Sequence, residues 1–315
     1  MITYQELSSL SMDLGFSPRA LYSVSYHRNS HYRKAVIPKG NGELRELFVP
    51  DDFLKSIQRS IAANLLIHEE VSPFATAYRY GGGTKKNASP HVGKRVVLKL
   101  DVRHFFDNII YPVVKDKCFP SQRYSEANRI LLTMLCMHKD ALPQGAPTSP
   151  VISNIIMRDF DNTVGLWCKK RHIAFTRYCD DMTFSGDFNP KPVIQMVKQE
   201  LRKLGLYLND QKTTVVRSGQ RQTATGIVVN EKVNVSCDYR RKLRQELYYC
   251  RKYGLQDQIS RYALGLSEEQ YLLQLLGRVN YVLQIAPDNP EMQGYKNWLL
   301  ELRRTWFTHP PAPRI

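Results

Sequence analysis

Three aspartates are the residues of this chain whose types and spacing point most directly to chemistry. Asp180 and Asp181 are adjacent, and Asp101 ends an apolar, β-branched run over residues 95–101. Carboxylates gathered from separate strands repel one another, and cations hold such a group together. Oxygen ligands with open positions suit Mg²⁺, which keeps several waters and also binds substrate phosphates. Together with their context, these residues predict a two-metal Mg²⁺ site for in-line displacement at phosphorus, although an isolated Asp-Asp pair usually marks a solvated turn.

The elements around these aspartates must form a sheet for the carboxylates to meet. Residues 95–101 read as a strand, and residues 174–178 and 182–185 read as two strands of a hairpin with the Asp-Asp pair at its tip. Pro150 begins a long helical pattern, and a second helix over residues 193–204 ends at Gly205. Residues 206–208 and 224–229 read as further strands. This order predicts an α+β fold, with an antiparallel sheet covered by helices on one face.

The last 85 or so residues have a helical pattern instead. Asp238 is placed to cap a helix that runs to Tyr253 and stops at Gly254, and Ser267 with Gln270 forms a capping box for another helix. The first of these helices carries a basic cluster made of Arg240, Arg241, Lys242 and Arg244, interleaved with tyrosines. Such a face suits a nucleic-acid backbone. A solvated helix face with tyrosines in the core is the equally weighted alternative.

Composition and charge narrow the class of protein. The 315 residues include 45 Lys+Arg and 29 Asp+Glu, and the net charge of +16 favours a polyanionic partner. A hydrophobic fraction of 43% excludes wholesale disorder. No apolar run approaches the roughly 18 residues of a membrane helix, and the first residues lack a signal-peptide pattern, so we expect a cytoplasmic protein with no membrane partner. The six cysteines lack the spacing of a zinc site or a disulfide framework.

Four motifs, in order along the chain, resemble those of reverse transcriptases. They are VLKLDVRHFFDNI at 97–109, LPQGAPTSPVISNI at 142–155, RYCDDMTFS at 177–185, which matches the Y-x-D-D box, and LNDQKT at 208–213. The segment NASPH at 87–91 resembles the N-A-x-x-H pattern of bacterial retron enzymes. Where retron enzymes usually have V-T-G, this chain has Ala224-Thr225-Gly226.

The resemblance implies a right-hand polymerase. Fingers would occupy residues 1–95 and 111–145, the palm 96–110 and 146–230, and a helical thumb that also recognises RNA 231–315. The implied activity is that of an RNA-directed DNA polymerase that uses deoxynucleoside triphosphates (dNTPs) and Mg²⁺. In retrons a structured noncoding RNA is copied from one of its own guanosine 2′-hydroxyls into short single-stranded DNA that stays joined to RNA. Such systems are linked to anti-phage defence, with an effector protein encoded nearby.

The resemblance also implies catalytic and metal-binding roles at the aspartates. Asp101, Asp180 and Asp181 would be the catalytic triad and would bind the metal ions together with the main-chain carbonyl of Val102. Asp180 would bridge the two ions. Which aspartate binds which ion stays open.

Four residues are implied to bind the incoming dNTP. Arg45 would hold the triphosphate, with Lys39 as a second cation or simply a solvated lysine. Phe106 would lie under the sugar and exclude a 2′-hydroxyl, unless Phe105 and Phe106 both belong to the core. Gln144 would approach the templating base, and Lys212 would lie near the active site.

Nucleic-acid contacts are implied at two further places. Asn87 and His91 would either contact RNA or lock their own loop. The basic cluster of Arg240, Arg241, Lys242 and Arg244 would follow the template–primer duplex through its backbone and 2′-hydroxyls.

Two other functions remain to be weighed. The chain could be another stand-alone bacterial reverse transcriptase, of diversity-generating or group II intron-like type. The Asn87 to His91 pattern argues against this, as does a length that leaves no room for a maturase, endonuclease or ribonuclease H domain. It could also be a catalytically silent RNA-binding scaffold, against which the intact aspartates, Gln144 and Arg45 argue.

Overall fold

A computed structural model describes residues 3–38, 42, 44–262 and 264–308, which form two compact units. The first unit consists of the chain up to residue 83 together with residues 95–216. The second consists of residues 84–94 together with the chain from residue 217 onward. The boundary residues of these units differ from the predicted limits of fingers, palm and thumb, which stay predictions.

Helices and strands alternate irregularly along the chain. The α-helices are α1 (Leu7–Leu14), α2 (Pro18–Tyr26), α3 (Asp52–Ile61), α4 (Thr84–Ala88), α5 (Tyr111–Cys118), α6 (Glu126–Cys136), α7 (Ser149–Ile156), α8 (Arg158–Lys169), α9 (Pro190–Arg202), α10 (Cys237–Tyr253), α11 (Leu255–Arg261), α12 (Glu268–Ile285) and α13 (Pro290–Thr308). The strands are β1 (Tyr32–Pro38), β2 (Leu44–Pro50), β3 (Val96–Asp101), β4 (Ala174–Tyr178), β5 (Asp181–Gly186), β6 (Thr214–Arg217), β7 (Thr223–Ala224) and β8 (Ile227–Val228).

A four-stranded sheet in the order β4-β5-β3-β6 is the centre of the first unit. Strand β5 is antiparallel to both β4 and β3, with Phe184 opposite Phe175 on one side and Leu98 on the other. The rings of Phe175 and Phe184 stack with centroids 4.8 Å apart, and helix α8 packs against β4. Burial of each large apolar side chain contributes about 1.5–3 kcal/mol. The predicted α+β class and the antiparallel sheet are confirmed.

Two predictions about the first unit need correction. The helical pattern after Pro150 forms two helices, α7 and α8, because the chain departs from helical geometry at Met157, where ψ is −4°. The predicted strand over residues 206–208 is reduced to a single antiparallel bridge between Leu208 and Val102. This bridge nevertheless fixes the segment beside Asp101.

In the second unit, the predicted strand over residues 224–229 is a tight hairpin of β7 and β8. Ala224 pairs with Ile227, and the two residues between them, Thr225 and Gly226, have φ values of 44° and 79°. Positive φ at both central positions is the requirement of a type I′ turn. A β-branched run that looked continuous in sequence is therefore folded back on itself.

Helix α10 begins at Cys237 and is capped by Ser236 in place of the predicted Asp238. The Ser236 hydroxyl accepts a hydrogen bond from the Tyr239 backbone N–H at 3.2 Å, whereas Asp238 forms an ion pair with Arg241. Gly254 ends the helix with a φ of 89°, as predicted. The capping box of Ser267 at the start of α12 is also confirmed. Across the described residues, no helix is both long enough and apolar enough to span a bilayer.

Candidate active site

The Tyr178–Asp181 turn joins β4 to β5 through two residues. Tyr178 and Asp181 are paired across the hairpin, which leaves Cys179 and Asp180 as the loop. Cys179 has a φ of 61°, although it is not a glycine. A positive φ at the first central residue is what a type II′ turn requires. The predicted hairpin is confirmed, and its tip holds a strained backbone conformation.

Asp101 lies directly opposite Asp181, because β3 and β5 pair in that register. The Val102 N–H donates to the Asp180 carbonyl at 3.2 Å, and the Asn209 N–H donates to the Asp101 carbonyl at 2.8 Å. These bonds attach the turn to the end of β3. The three predicted aspartates therefore occupy one end of the sheet.

The three carboxylates carry more negative charge than the neighbouring cations compensate. Burial, and then the neighbouring Asp180 and Asp101 carboxylates, raise the pKa of Asp181 to about 6. Burial and Asp101 also raise the pKa of Asp180. Lys99 lies on β3, two residues before Asp101. Burial lowers the pKa of its ammonium, and the Asp181 carboxylate opposes that shift. A positive ion brought to this site would relieve the repulsion.

Lys212 forms an ion pair with one of the three aspartates. It ends a 3₁₀ turn over Asp210–Lys212, and its Nζ lies 3.0 Å from Asp101 Oδ1. The Asp101 side chain is 10% exposed, whereas that of Lys212 is 62% exposed. The sequence placed Lys212 near the active site, and its ammonium lies at the triad itself.

The chemical type of the donors is what fits Mg²⁺. In the part of the chain that the structure describes, no three His, Cys, Asp or Glu side chains are grouped so that they could hold a metal ion. Mg²⁺ usually binds through one or two carboxylates and keeps waters or substrate phosphates in the other positions. Asp101, Asp180, Asp181 and the Val102 carbonyl offer only hard oxygen donors, at the place where the carboxylates repel one another.

Phe105 and Phe106 follow β3 and differ in their surroundings. Phe105 is 3% exposed and belongs to the core, whereas Phe106 is half-buried and packs against the core from outside. Their ring centroids are 5.3 Å apart. Only Phe106 keeps a face that a sugar could contact, and its role as a steric gate stays a prediction.

The loop with Gln144 lies on the strand that carries Arg45. The Phe48 N–H of β2 donates to the Gln144 carbonyl at 2.9 Å, and Arg45 lies exposed on that same strand. Gly145 has a φ of 119°, and a Cβ there would lie 3.1 Å from the Phe48 carbonyl oxygen. The close approach explains the glycine. Lys39 lies outside the described residues.

Asn87 and His91 are buried in the second unit. Asn87 is 1% exposed and its amide donates to Thr225 Oγ1 at 3.3 Å, at the β7–β8 turn. His91 is fully buried, and burial lowers its pKa to about 4, so the ring is neutral at neutral pH. Gly93 N–H donates to the Val229 carbonyl at 3.0 Å. These contacts favour the alternative in which the two side chains lock a loop, and an RNA contact at either stays a prediction.

The basic cluster lies on α10, whose buried side is formed by Leu243, Leu247 and Cys250. Arg241, Lys242 and Arg244 are exposed, and Arg240 is half-buried. Arg244 pairs with Glu291 at 2.7 Å and Arg241 pairs with Asp238 at 3.0 Å. An exposed pair contributes little to stability, so both arginines can turn to phosphates at small cost. Their role in nucleic-acid binding stays a prediction.

Sequence reasoning missed two side chains that hold the Tyr178–Asp181 turn. Arg177 is completely buried and donates to the Cys179 carbonyl at 2.9 Å. Tyr78 is hydrogen-bonded to the Cys179 side chain, and burial raises the pKa of its hydroxyl. A signal for Arg177 existed, since residues 175 and 177 share one face of the strand and an arginine beside a core phenylalanine needs a buried partner.

A family model described as reverse transcriptase (RNA-dependent DNA polymerase) matches residues 37–235, which is more than half of the chain. The match confirms the predicted right-hand polymerase fold class. Among solved structures, telomerase from Candida albicans in complex with an RNA fragment is similar with a TM-score of 0.46 at 12% identity, covering 89% of this chain and 64% of that chain.

Curated relatives are retron enzymes. Retron Mx65 reverse transcriptase of Myxococcus xanthus is 33% identical over 75% of this chain and 60% of its own length. Retron Ec86 reverse transcriptase of Escherichia coli is 28% identical over 77% of each chain. Retron Ec83 reverse transcriptase of Escherichia coli is 32% identical over 68% of this chain and 73% of its own length. The chain thus spans between three fifths and about three quarters of these relatives, and it belongs to the retron-type reverse transcriptases.

Proposed function

We propose that this chain is an RNA-directed DNA polymerase that copies a structured noncoding RNA into short single-stranded DNA joined to RNA. The observation that carries the proposal is the pairing of Asp101 with Asp181, with Asp180 in the adjoining turn. The family match over residues 37–235 and the retron names of the relatives support the choice of template and product. By the same likeness, synthesis begins at a guanosine 2′-hydroxyl of the RNA.

Asp101, Asp180, Asp181 and the Val102 carbonyl are the proposed ligands of two Mg²⁺ ions. Bound there, the ions would supply activation of the attacking hydroxyl and neutralisation of the leaving pyrophosphate. The turn and the Asn209 hydrogen bond hold the carboxylates at one end of the sheet before substrate arrives. Such preorganisation lowers the cost of reaching the transition state.

The remaining residues of the site are proposed to orient the nucleotide. Lys212 exchanges its bond to Asp101 for phosphate oxygens of the bound dNTP. Arg45, exposed on β2, holds the triphosphate through its guanidinium fork. Gln144 approaches the templating base, and Phe106 excludes a sugar with a 2′-hydroxyl by steric contact.

The proposed partners are the cognate RNA, its DNA product and dNTPs, in the cytoplasm. An effector protein encoded nearby would connect DNA synthesis to anti-phage defence. Exposed cations of α10 are proposed to contact the RNA backbone, since phosphate contacts supply most of the sequence-independent affinity.

Nucleic acid that co-purifies with the protein from its native locus tests the proposal. It is run on a denaturing gel with and without ribonuclease and deoxyribonuclease, beside the Asp180→Asn/Asp181→Asn double variant. We expect a discrete band that deoxyribonuclease destroys, ribonuclease shortens and the double variant lacks. Bound RNA without DNA in either preparation would contradict the proposal and favour the RNA-binding scaffold.

A further inference from the structure

A buried ionic cluster lies directly behind the catalytic turn. The side chains of Arg177 and Asp161 are both 0% exposed. The Arg177 guanidinium grips Asp161 through two parallel bonds, from Nε at 2.7 Å and from Nη2 at 2.6 Å. Nη2 also donates to Asn154 Oδ1 at 3.1 Å, and Nη1 donates to the Cys179 carbonyl at 2.9 Å. Every nitrogen of the guanidinium therefore has an acceptor.

The fourth of these bonds acts on the backbone of the turn. The Cys179 carbonyl belongs to the peptide that joins Cys179 to Asp180, at the residue with positive φ. The next carbonyl, that of Asp180, accepts from the Val102 N–H. The Cys179 and Asp180 carbonyls are thus each held by one donor, the first by the Arg177 side chain and the second by the Val102 backbone, and neither peptide can rotate without breaking a hydrogen bond.

The cluster is fixed from three sides. Asn154 lies on α7 and also donates to the Ala77 carbonyl at 2.9 Å, while Asp161 lies on α8. The Arg177 backbone bonds to the segment before Ala77, since its N–H donates to the Phe74 carbonyl and its carbonyl accepts from the Thr76 N–H, both at 2.8 Å. The position of the guanidinium is therefore set by two helices and a strand-like segment.

A buried ion pair of this kind usually adds little net stability over an apolar pair of similar size, because both charges lose their hydration. Burial raises the pKa of Asp161, and the Arg177 guanidinium opposes that shift. What an apolar pair could not provide is a directed donor for the Cys179 carbonyl. A role in holding the Cys179 carbonyl therefore explains the geometry of the cluster better than a contribution to stability does.

We infer that Arg177, oriented by Asp161 and Asn154, is a positioning residue that sets the orientation of the Cys179–Asp180 peptide and, through it, the direction of the two turn carboxylates. The inference rests on the proposed polymerase function. Arg177 does not touch substrate in this role, and its effect on DNA synthesis passes through the turn.

The first test is Arg177→Lys, which keeps the charge and loses the fork. A single ammonium cannot hold Asp161 bidentately and reach the Cys179 carbonyl in the same geometry. Primer extension on an annealed RNA template should show kcat reduced about 100-fold, with the KM for dNTP and the affinity for template–primer changed less than threefold. The matched control is Arg171→Lys, an exposed arginine stacked on the Trp167 ring, which should keep wild-type kcat.

A second variant guards against loss of folding. Arg177→Met/Asp161→Leu replaces the whole ion pair by apolar side chains, and it should melt cooperatively near the wild-type temperature while kcat falls as in Arg177→Lys. A folded double variant with wild-type kcat would overturn the inference. Loss of kcat, template–primer affinity and melting temperature together in both variants would also overturn it, since that pattern marks a purely structural pair. Absence of DNA synthesis by the wild type would instead reject the proposed function.

Discussion

Two charge clusters in the same unit follow opposite rules. Around Arg177, a carboxylate, a guanidinium and an amide are buried, and each guanidinium nitrogen is bonded. The second cluster begins three residues further along the chain, at Asp180; in it Asp101 lies opposite Asp181, and Lys212 forms an ion pair with Asp101. We call the first the closed cluster, because its charges are compensated by one another, and it holds the backbone of the turn in place. The second, which we call the open cluster, is short of positive charge, and binding of a cation would relieve its repulsion.

The largest effect on DNA synthesis should appear when a carboxylate of the open cluster is neutralised. We expect Asp180→Asn to reduce DNA synthesis by about 10⁴-fold, a typical loss for a group that acts in the transition state. The melting temperature should stay equal or rise, because the change removes like-charge repulsion. Single-nucleotide extension and thermal unfolding measure the two effects. Asp187→Asn, at an exposed aspartate after β5, is the control. Activity within tenfold of wild type in Asp180→Asn would contradict the assignment.

In the closed cluster, we expect loss of the carboxylate to lower the free energy of unfolding. Asp161→Leu leaves the Arg177 guanidinium buried without its carboxylate, and we expect the free energy of unfolding to fall by about 3–5 kcal/mol. Urea unfolding followed by circular dichroism measures it. Adding Arg177→Met should recover much of the loss. A double variant less stable than Asp161→Leu alone would show that the pair itself is a main source of stability.

Phe105 and Phe106 show a similar contrast, because the first side chain is buried in the core and the second is partly exposed. We expect Phe106→Ala to raise ribonucleotide incorporation relative to deoxynucleotide incorporation about 10- to 100-fold, because the ring no longer opposes a 2′-hydroxyl. The ratio of kcat/KM for the two nucleotides is the measurement. Phe105→Leu, in the core, should leave that ratio unchanged. Unchanged sugar discrimination in Phe106→Ala would remove the residue from the site.

The pKa of Asp181 gives the open cluster a pH signature. Because its folded-state pKa is raised to about 6, ionisation disfavours the folded state, and metal-free protein should lose stability as pH rises from about 4 to about 6. Relative to Asp181→Asn in the presence of a chelator, the wild-type melting temperature should fall by a few degrees over this window and then stay level. Mg²⁺ added at pH 7.5 should reverse the difference. A difference that does not change with pH would reject the raised pKa.

The smallest effects should come from the exposed cations of α10. Arg241→Gln/Lys242→Gln should weaken binding of the cognate RNA about three- to tenfold, and should reduce the slope of log K against log salt by about 1.5 if both contact phosphates. Filter binding over a salt series measures both quantities. The free energy of unfolding should change by less than about 1 kcal/mol, since the one ion pair lost is exposed. An unaltered slope would place the RNA elsewhere.

Local sequence patterns were sufficient for the strands that carry the open cluster. Strand residues up to Asp101 and the two short strands around the Asp-Asp pair are decided by neighbours in the chain, and the register of β4 against β5 follows from the two-residue turn. The closed cluster depends on side chains from separate elements, since Arg177 is 23 residues from Asn154 and 16 from Asp161. Their meeting is decided by how α7 and α8 pack on the sheet, which no local pattern records.

Elsewhere, residue type alone does not decide the outcome. At Asn87 and His91 the sequence left both an RNA contact and a locked loop open, and both side chains are buried. Similarly, residues 224–229 look like one strand by β-propensity, while Thr225 takes a left-handed conformation that its side chain disfavours. The hydrogen bond from Asn87 to Thr225 connects the two segments, and it joins positions 138 residues apart, which no local pattern records.

The assignment of residues 84–94 to the second unit limits how this protein can be divided. Those residues lie between two stretches of the first unit, so the chain passes from one unit to the other three times. A shortened chain ending at residue 216 would keep Asn87 but lose its partner Thr225, and it would lose the hairpin of β7 and β8 that α4 contacts, exposing side chains that are now buried. Exchange of the C-terminal region between related proteins should therefore succeed only when residues 84–94 are exchanged with it, so that the two segments are inherited as one module.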